Sequence, residues 1–173
     1  MLNAKKIAYP AIGISLLIIA SQISIKLPST PVNLTLQTLI IPLLGLIFKG
    51  KNWLIICGYL FLGAIGLPVF SNFSGGISKL LGPSGGFLFG FLILAYIIGI
   101  FNKNRFHFIL GLLIGNLLLY LCGILWLKLY LKLDIFRALR LGLFPFLIGD
   151  IIKIFILYYL YPHVQANFKN IQF

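Results

Sequence analysis

Asp134 and Asp150 are the only two acidic residues in this 173-residue chain. Asp150 lies in the run Phe144-Pro145-Phe146-Leu147-Ile148-Gly149-Asp150-Ile151-Ile152-Lys153-Ile154-Phe155-Ile156-Leu157. Apart from one carboxylate and one ammonium, this is the composition of a lipid-embedded helix. An ionisable group in such surroundings is costly, and it normally faces a partner, a cavity or a ligand. Asp150 and Lys153 are three residues apart, which puts them on one helix face. That spacing suits a closed ion pair, or an acceptor and a donor offered side by side to a polar ligand. The spacing alone leaves both open.

Other polar residues cluster in two stretches and one helix. The stretch Lys26-Leu27-Pro28-Ser29-Thr30-Pro31-Val32-Asn33-Leu34-Thr35-Leu36-Gln37-Thr38-Leu39 has two prolines that fix the backbone. Thr35, Gln37 and Thr38 then open an apolar run, as a polar platform of hydroxyls and N-terminal amides or as a solvated first turn. The second stretch runs from Gly66 through Asn72, Phe73, Gly75 and Gly76 to Gly82, Gly85, Gly86 and Phe87. Long structured loops in compact proteins are usually lids or binding loops, and paired glycines permit close backbone approach to a ligand. No Gly-Lys-Ser/Thr follows, so it is not a phosphate loop. Asn116 and Tyr120 are four apart on one helical face, suited to a pocket or to a helix–helix bridge.

The elements that must hold these residues are apolar. The chain is 61% hydrophobic and 9% charged, with a mean hydropathy of +1.09, whereas soluble domains carry about 25% charged residues. It reads as an all-α integral membrane protein. The net charge of +12 does not point to nucleic acid, because the bases fall between apolar runs rather than on one solvated face. Cys57 and Cys122 lie inside apolar runs with no metal-binding spacing, and read as packing thiols. No nucleotide motif, acidic pair or Ser/His/Asp set is present, so the chain is expected not to be an enzyme and to need no cofactor.

Six runs emerge, at 7–25, 35–48, 53–70, 87–101, 106–127 and 141–161, in one domain over 1–173. A span needs about 20 residues, and the second and fourth runs are short. Short or Gly/Pro-interrupted helices tend to border a cavity. Six crossings put both termini on one side. Lys5, Lys6, Lys49, Lys51, Lys103, Arg105 and Lys169 share that side, against Lys26, Lys79, Lys128, Lys132, Arg137 and Arg140. The bias is slight, but the first loops favour cytoplasmic termini in a cell-membrane protein. Residues 128–140 read as a short amphipathic segment lying in the interface. Ala4 and Ala8, or Ala11 and Ser15, have the small-xxx-small spacing that permits close helix approach, for docking or for packing within the bundle.

The strings Thr35-Leu36-Gln37-Thr38, Gly63-Ala64-Ile65-Gly66-Leu67-Pro68-Val69-Phe70, Leu81-Gly82-Pro83-Ser84-Gly85-Gly86 and Pro145-Phe146-Leu147-Ile148-Gly149-Asp150-Ile151-Ile152-Lys153 occur in order over nearly the whole chain. Together they closely resemble the BioY family, the biotin-specific substrate-binding S components of energy-coupling factor transporters. Phe87 stands where members commonly carry Tyr, and residues 128–140 are more basic than the family pattern. The resemblance implies six membrane helices with structured outer loops, cytoplasmic termini and a high-affinity biotin pocket near the outer face. It also implies an EcfT-type scaffold protein and two ABC ATPase subunits as partners, with the scaffold meeting the Ala4, Ala8, Ala11 and Ser15 face.

Biotin has a ureido ring with two N–H donors and one carbonyl, an apolar thiophane ring and a valerate carboxylate. On that reading Asp150 accepts from the ureido N–H groups, while Lys153 donates to the carbonyl or to Asp150. Phe73 and Phe87 cover the apolar ring. Thr35, Gln37, Asn72, Gly75, Gly76, Asn116 and Tyr120 complete the pocket. Lys79 or the amides from Thr35 to Gln37 meet the valerate. The alternatives are the same architecture serving another heterocycle, or a structural membrane protein in which Asp150–Lys153 is only a bridge.

Overall fold

Punctuation by Gly, Pro and Asn divides the apolar runs into helices. The computed structural model describes residues 4–168, with side chains from Ile7 onward. In chain order the elements are α1 (Ala4–Gln22), β1 (Ser24–Ile25), β2 (Leu34–Thr35), α2 (Gln37–Phe48), α3 (Asn52–Ala64), α4 (Ile77–Leu80), α5 (Gly85–Phe101), α6 (Arg105–Leu131), α7 (Ile135–Gly142) and α8 (Phe144–Asn167). By length and composition, α6 and α8 are long and apolar enough to cross a membrane. Ile7–Gln22, α2, α3 and α5 are shorter apolar helices.

Local chemistry sets the boundaries. The Asn104 side chain caps α6 by accepting from the His107 N–H at 2.9 Å. That helix stops at Lys132, which takes the left-handed conformation at φ 52° and ψ 43°. Asp134 then caps α7, accepting from the Arg137 N–H at 2.9 Å. The basic stretch 128–140, expected as one amphipathic piece, is therefore divided: its first residues finish α6 and its last form a separate helix. Pro145 stands in the first turn of α8, where its missing N–H costs nothing.

Two further departures from the expected runs have clear causes. Thr35 does not open α2. It lies in β2, which pairs antiparallel with β1 in the register Ser24↔Thr35 and Ile25↔Leu34. The third run does not continue to residue 70. Gly66 takes φ 101° just past the helix end, and Pro68 follows, so α3 stops at Ala64. Val69 and Phe70 fold back into the core, and the Phe70 ring rests on Gly63, where a Cβ would come within 2.0 Å of it.

Helices α5 and α6 form an antiparallel hairpin. A Cβ at Gly86 would meet Trp126 Cβ at 2.3 Å, and one at Gly115 would meet Leu94 at 2.7 Å. Small residues on both helices thus let the backbones approach closely. Helix α2 packs on both α5 and α8, and α6 packs on α8. These four helices surround a cavity at the end where the β1–β2 ladder and the 66–84 loop lie. Helix α1 sits outside, on α2 and α3. Its Ala8, Ala11 and Ser15 are exposed, and the Ser15 hydroxyl donates to the Ala11 carbonyl at 2.9 Å. The side chain of Ala4, and Lys169, lie outside the described residues.

The end of α1 ties down the 66–76 loop. The Ser21 hydroxyl donates to the Val69 carbonyl at 2.7 Å and the Gln22 amide to the Phe70 carbonyl at 3.1 Å. The Phe73 N–H returns a bond to Gln22 Oε1 at 2.9 Å. Asn33 reaches Ser71 Oγ at 3.1 Å.

Candidate functional site

Asp150 and Lys153 are both buried on α8, with Lys153 Nζ 3.1 Å from Asp150 Oδ1. Both line the cavity bounded by α2, α5, α6 and α8. Its non-atom space is about 600 Å³, open water at its mouth included.

The pair is held from three other elements. Lys153 Nζ also donates to the Thr35 carbonyl at 2.9 Å, from β2, and to Thr38 Oγ1 at 2.7 Å, from α2. The Thr38 hydroxyl passes its own hydrogen to Asp150 Oδ1 at 3.3 Å. From α6, the Tyr120 hydroxyl donates a short bond to Asp150 Oδ2. An ammonium has three donors, and all three here have acceptors inside the protein. A carboxylate has about four lone-pair directions, of which three are engaged. Asp150 is therefore a positioned acceptor with room for one more donor, and Lys153 is its fixed counter-charge.

The walls above are aromatic and aliphatic. Phe87 meets Tyr120 edge to face at 6.4 Å between ring centroids and 82°, and Phe146 at 6.3 Å and 38°. Gly123 makes room for it, since a Cβ there would stand 2.4 Å from the Phe87 ring. Phe70, Leu88, Phe91 and Leu119 also face the cavity. Gln37 lines it as well, but its amide is engaged: Oε1 accepts from Thr35 Oγ1 at 3.1 Å and Nε2 donates to Tyr59 OH at 2.9 Å. At the mouth stands Lys79, half-buried, from α4. Burial first, and the nearby Lys26 second, hold its ammonium below the ordinary lysine range.

Of the residues singled out from sequence, Thr35, Gln37, Lys79, Phe87, Tyr120, Asp150 and Lys153 meet at this cavity. Asn72, Phe73, Gly75, Gly76 and Asn116 are not among its lining residues. Asn72 and Phe73 form a left-handed turn at φ 60° and 51°, with Phe73 exposed. Gly75 is pressed on its own loop, where a Cβ would lie 2.2 Å from the Leu67 carbonyl oxygen. Asn116 has a buried Oδ1 without a hydrogen-bond partner among the described residues. The sequence places Thr38 in the polar platform at the helix start but does not single it out as a ligand residue, and it does not single out Ser71 or Ser84; all three line the cavity. The usable signal for Thr38 was its hydroxyl in an otherwise apolar helix, three residues from Thr35.

The arrangement suits a ligand with hydrogen-bond donors at one end, an apolar middle and an anion at the other. The model of the BioY family matches residues 1–170. The probable biotin transporter BioY of Pyrococcus horikoshii is 37% identical over 153 residues, covering 88% of this chain and 91% of that protein. The biotin transporter BioY of Thermotoga maritima is 39% identical over 145 residues, 81% of this chain and 83% of that protein. Among solved structures, the S-component for biotin from an ECF-type ABC transporter superposes with a TM-score of 0.86 at 26% identity, covering 98% of this chain and 97% of that one. With the family model and these relatives spanning nearly its whole length, the chain belongs to the BioY family.

Proposed function

We propose that this chain is the biotin-binding membrane subunit of an energy-coupling-factor-type transporter. The observation that carries the proposal is the buried Asp150 carboxylate, pinned by Lys153, Thr38 and Tyr120 and facing a cavity with aromatic walls. Similarity to curated biotin transporters and to the biotin S-component supports the same ligand.

In this reading Asp150 accepts from a ureido N–H, an interaction roughly twice as strong as a neutral hydrogen bond. Lys153 acts chiefly by positioning Asp150, because its three hydrogens are already engaged. It reaches the ureido carbonyl only by exchanging one of those bonds. Phe87 and Phe70 cover the thiophane ring, and Lys79 meets the valerate carboxylate at the mouth. Helices α1, α2, α3, α5, α6 and α8 are the six crossings, with both termini cytoplasmic and the cavity opening outward. A scaffold protein and two ABC ATPase subunits supply energy, and the exposed Ala8, Ala11 and Ser15 face is the docking surface.

Isothermal titration of the detergent-purified chain tests the ligand. Biotin and desthiobiotin, which keeps the ureido group, should bind far better than lipoate. Equal binding of lipoate and biotin sinks the ureido reading. The purified chain should hydrolyse no ATP, and reconstituted alone it should show no ATP-driven uptake.

The full internal satisfaction of Lys153 favours a second reading, in which Asp150–Lys153 is only a structural bridge. Biotin affinity and melting temperature measured on one Asp150→Asn preparation separate the two readings. The bridge reading expects lost stability with unchanged affinity per folded molecule.

A further inference from the structure

Four bases, Lys128, Lys132, Arg137 and Arg140, stand within thirteen residues that contain one acid, Asp134. That acid is engaged with Arg137 at 3.2 Å and caps α7, so most of the positive charge is uncompensated. Arg137 and Arg140 are three apart and both exposed, which places them on one side of α7. Phe136, beside them, is 79% exposed, and Leu129 at the end of α6 is 75% exposed. The opposite face of α7 is packed. Ala138 and Gly142 are buried, and a Cβ at Gly142 would stand 3.3 Å from the Phe87 ring.

Depth decides what this surface meets. Helix α7 joins the end of α6 to the start of α8, the two helices long enough to cross a membrane. A helix at that junction lies where hydrocarbon gives way to headgroups. There an exposed Phe and Leu enter the acyl boundary while the guanidinium groups stay at phosphate level. We infer that α7 and the end of α6 form a binding site for the headgroup of an anionic phospholipid, with Arg137 and Arg140 on its phosphate and Phe136 in its chains. The inference rests on the proposed membrane-spanning arrangement. Charge complementarity selects the occupant, because guanidinium pairs with phosphate in a two-pronged geometry and each basic group near an anionic surface adds attraction. Since α7 packs on Phe87, an occupied site also braces one wall of the cavity.

The test is native mass spectrometry of the full chain released from nanodiscs holding phosphatidylcholine and phosphatidylglycerol in equal amounts. Retained phosphatidylglycerol should exceed phosphatidylcholine, with a preference of roughly fivefold per engaged arginine. Arg137→Gln/Arg140→Gln should remove most of it, and Arg137→Lys/Arg140→Lys should keep part. Lys103→Gln, an exposed base at the other end of the molecule, should change nothing. Equal retention of the two lipids by the wild type overturns the inference, as does a preference that survives the double Gln variant. So does loss of the preference in millimolar inorganic phosphate, which marks a free-anion site. Biotin titration in the same nanodiscs reports separately on the transport reading: retained phosphatidylglycerol without biotin binding refutes that reading and leaves the lipid site standing.

Discussion

Two polar segments flank the cavity mouth, and they are built in opposite ways. Residues 35–38 give the cavity polar groups: the Thr38 hydroxyl bonds Lys153 and Asp150, and the Thr35 backbone carbonyl accepts from Lys153. Residues 66–76 lend it little beyond Phe70 and Ser71. The glycines of that loop serve the loop itself. Gly76 takes φ 91° and its N–H donates to the Gly63 carbonyl at 2.7 Å, and Gly75 lies against the Leu67 carbonyl. Glycine richness near a site therefore has two meanings, close approach to a ligand or close approach of the chain to itself. Only the position of the neighbouring carbonyls separates them.

The sharpest break in this contrast is expected on the side-chain side. On the proposed reading, Asp150→Asn keeps the shape but turns one acceptor into a donor facing the ureido N–H. Losing a charge-assisted bond and mismatching its replacement costs about 2–4 kcal/mol of binding, roughly 30- to 1,000-fold. The variant also leaves Lys153 without its counter-charge in a buried position, so its melting temperature should fall. Adding Lys153→Met removes the orphaned charge. Under the ligand reading the double variant regains stability while biotin affinity stays lost. If both return, Asp150 is not a ligand residue.

On the loop side the largest effect comes from Gly75→Ala. The new Cβ would lie 2.2 Å from a backbone oxygen, so the chain must move. Overpacking of this kind typically costs about 1–3 kcal/mol. The melting temperature should drop by several degrees, and biotin affinity should fall only as far as Phe70 and Ser71 are displaced. A large affinity loss at unchanged melting temperature reverses the contrast and gives the glycine a direct ligand role.

The same contrast explains what could be read in advance. Asp150, Lys153, Tyr120 and Phe87 were legible because ionisable or large side chains in apolar helices have few uses, and helical spacing fixes their common face. Most helix bounds lie within three residues of the hydropathy runs; the larger shifts fall at Ala64 and Leu131, where Gly66 and Lys132 take positive φ, and at Asn167, six residues past the end of the last run. The β1–β2 ladder was not legible, since two-residue strands carry no period. Nor were the contacts of Asn72, Phe73 and Gly75 with Ser24, Gln22 and Leu67, which only the folded loop brings together. Asn116 matched the face of Tyr120 yet lies one turn away from the cavity wall, where spacing alone has no resolution.

Lys79 bridges the two segments, since it reaches the cavity from the loop side with a side chain. Lys79→Gln should weaken biotin binding about fivefold, the scale of a partly solvated ionic hydrogen bond, and the loss should shrink at high salt. The pH dependence has a definite sign. On the proposed reading the ligand carboxylate stays ionised, and Lys79 binds it only as the ammonium. Affinity should therefore fall as pH rises through a lysine value held below the ordinary 10.5. Lys79→Arg should keep affinity at alkaline pH, because a guanidinium does not lose its proton there. An alkaline profile identical in the two proteins removes Lys79 from the site.

The smallest effect is expected at Phe73, the residue whose type most suggested a ring-covering role. Its side chain is 74% exposed, and it contributes to the loop through its backbone N–H on Gln22. Phe73→Ala retains that N–H and the same left-handed backbone, so neither the loop tether nor the turn changes. Biotin affinity should shift less than twofold, within the range of surface substitutions away from special features. Phe73→Gly should raise the melting temperature slightly, because glycine relieves the positive φ that any larger residue strains. If Phe73 closed over the ligand instead, Phe73→Ala would lose the burial of an aromatic ring, on the order of 1.5–3 kcal/mol. A tenfold or greater loss of affinity at unchanged stability would therefore mean that this loop, too, works through its side chains.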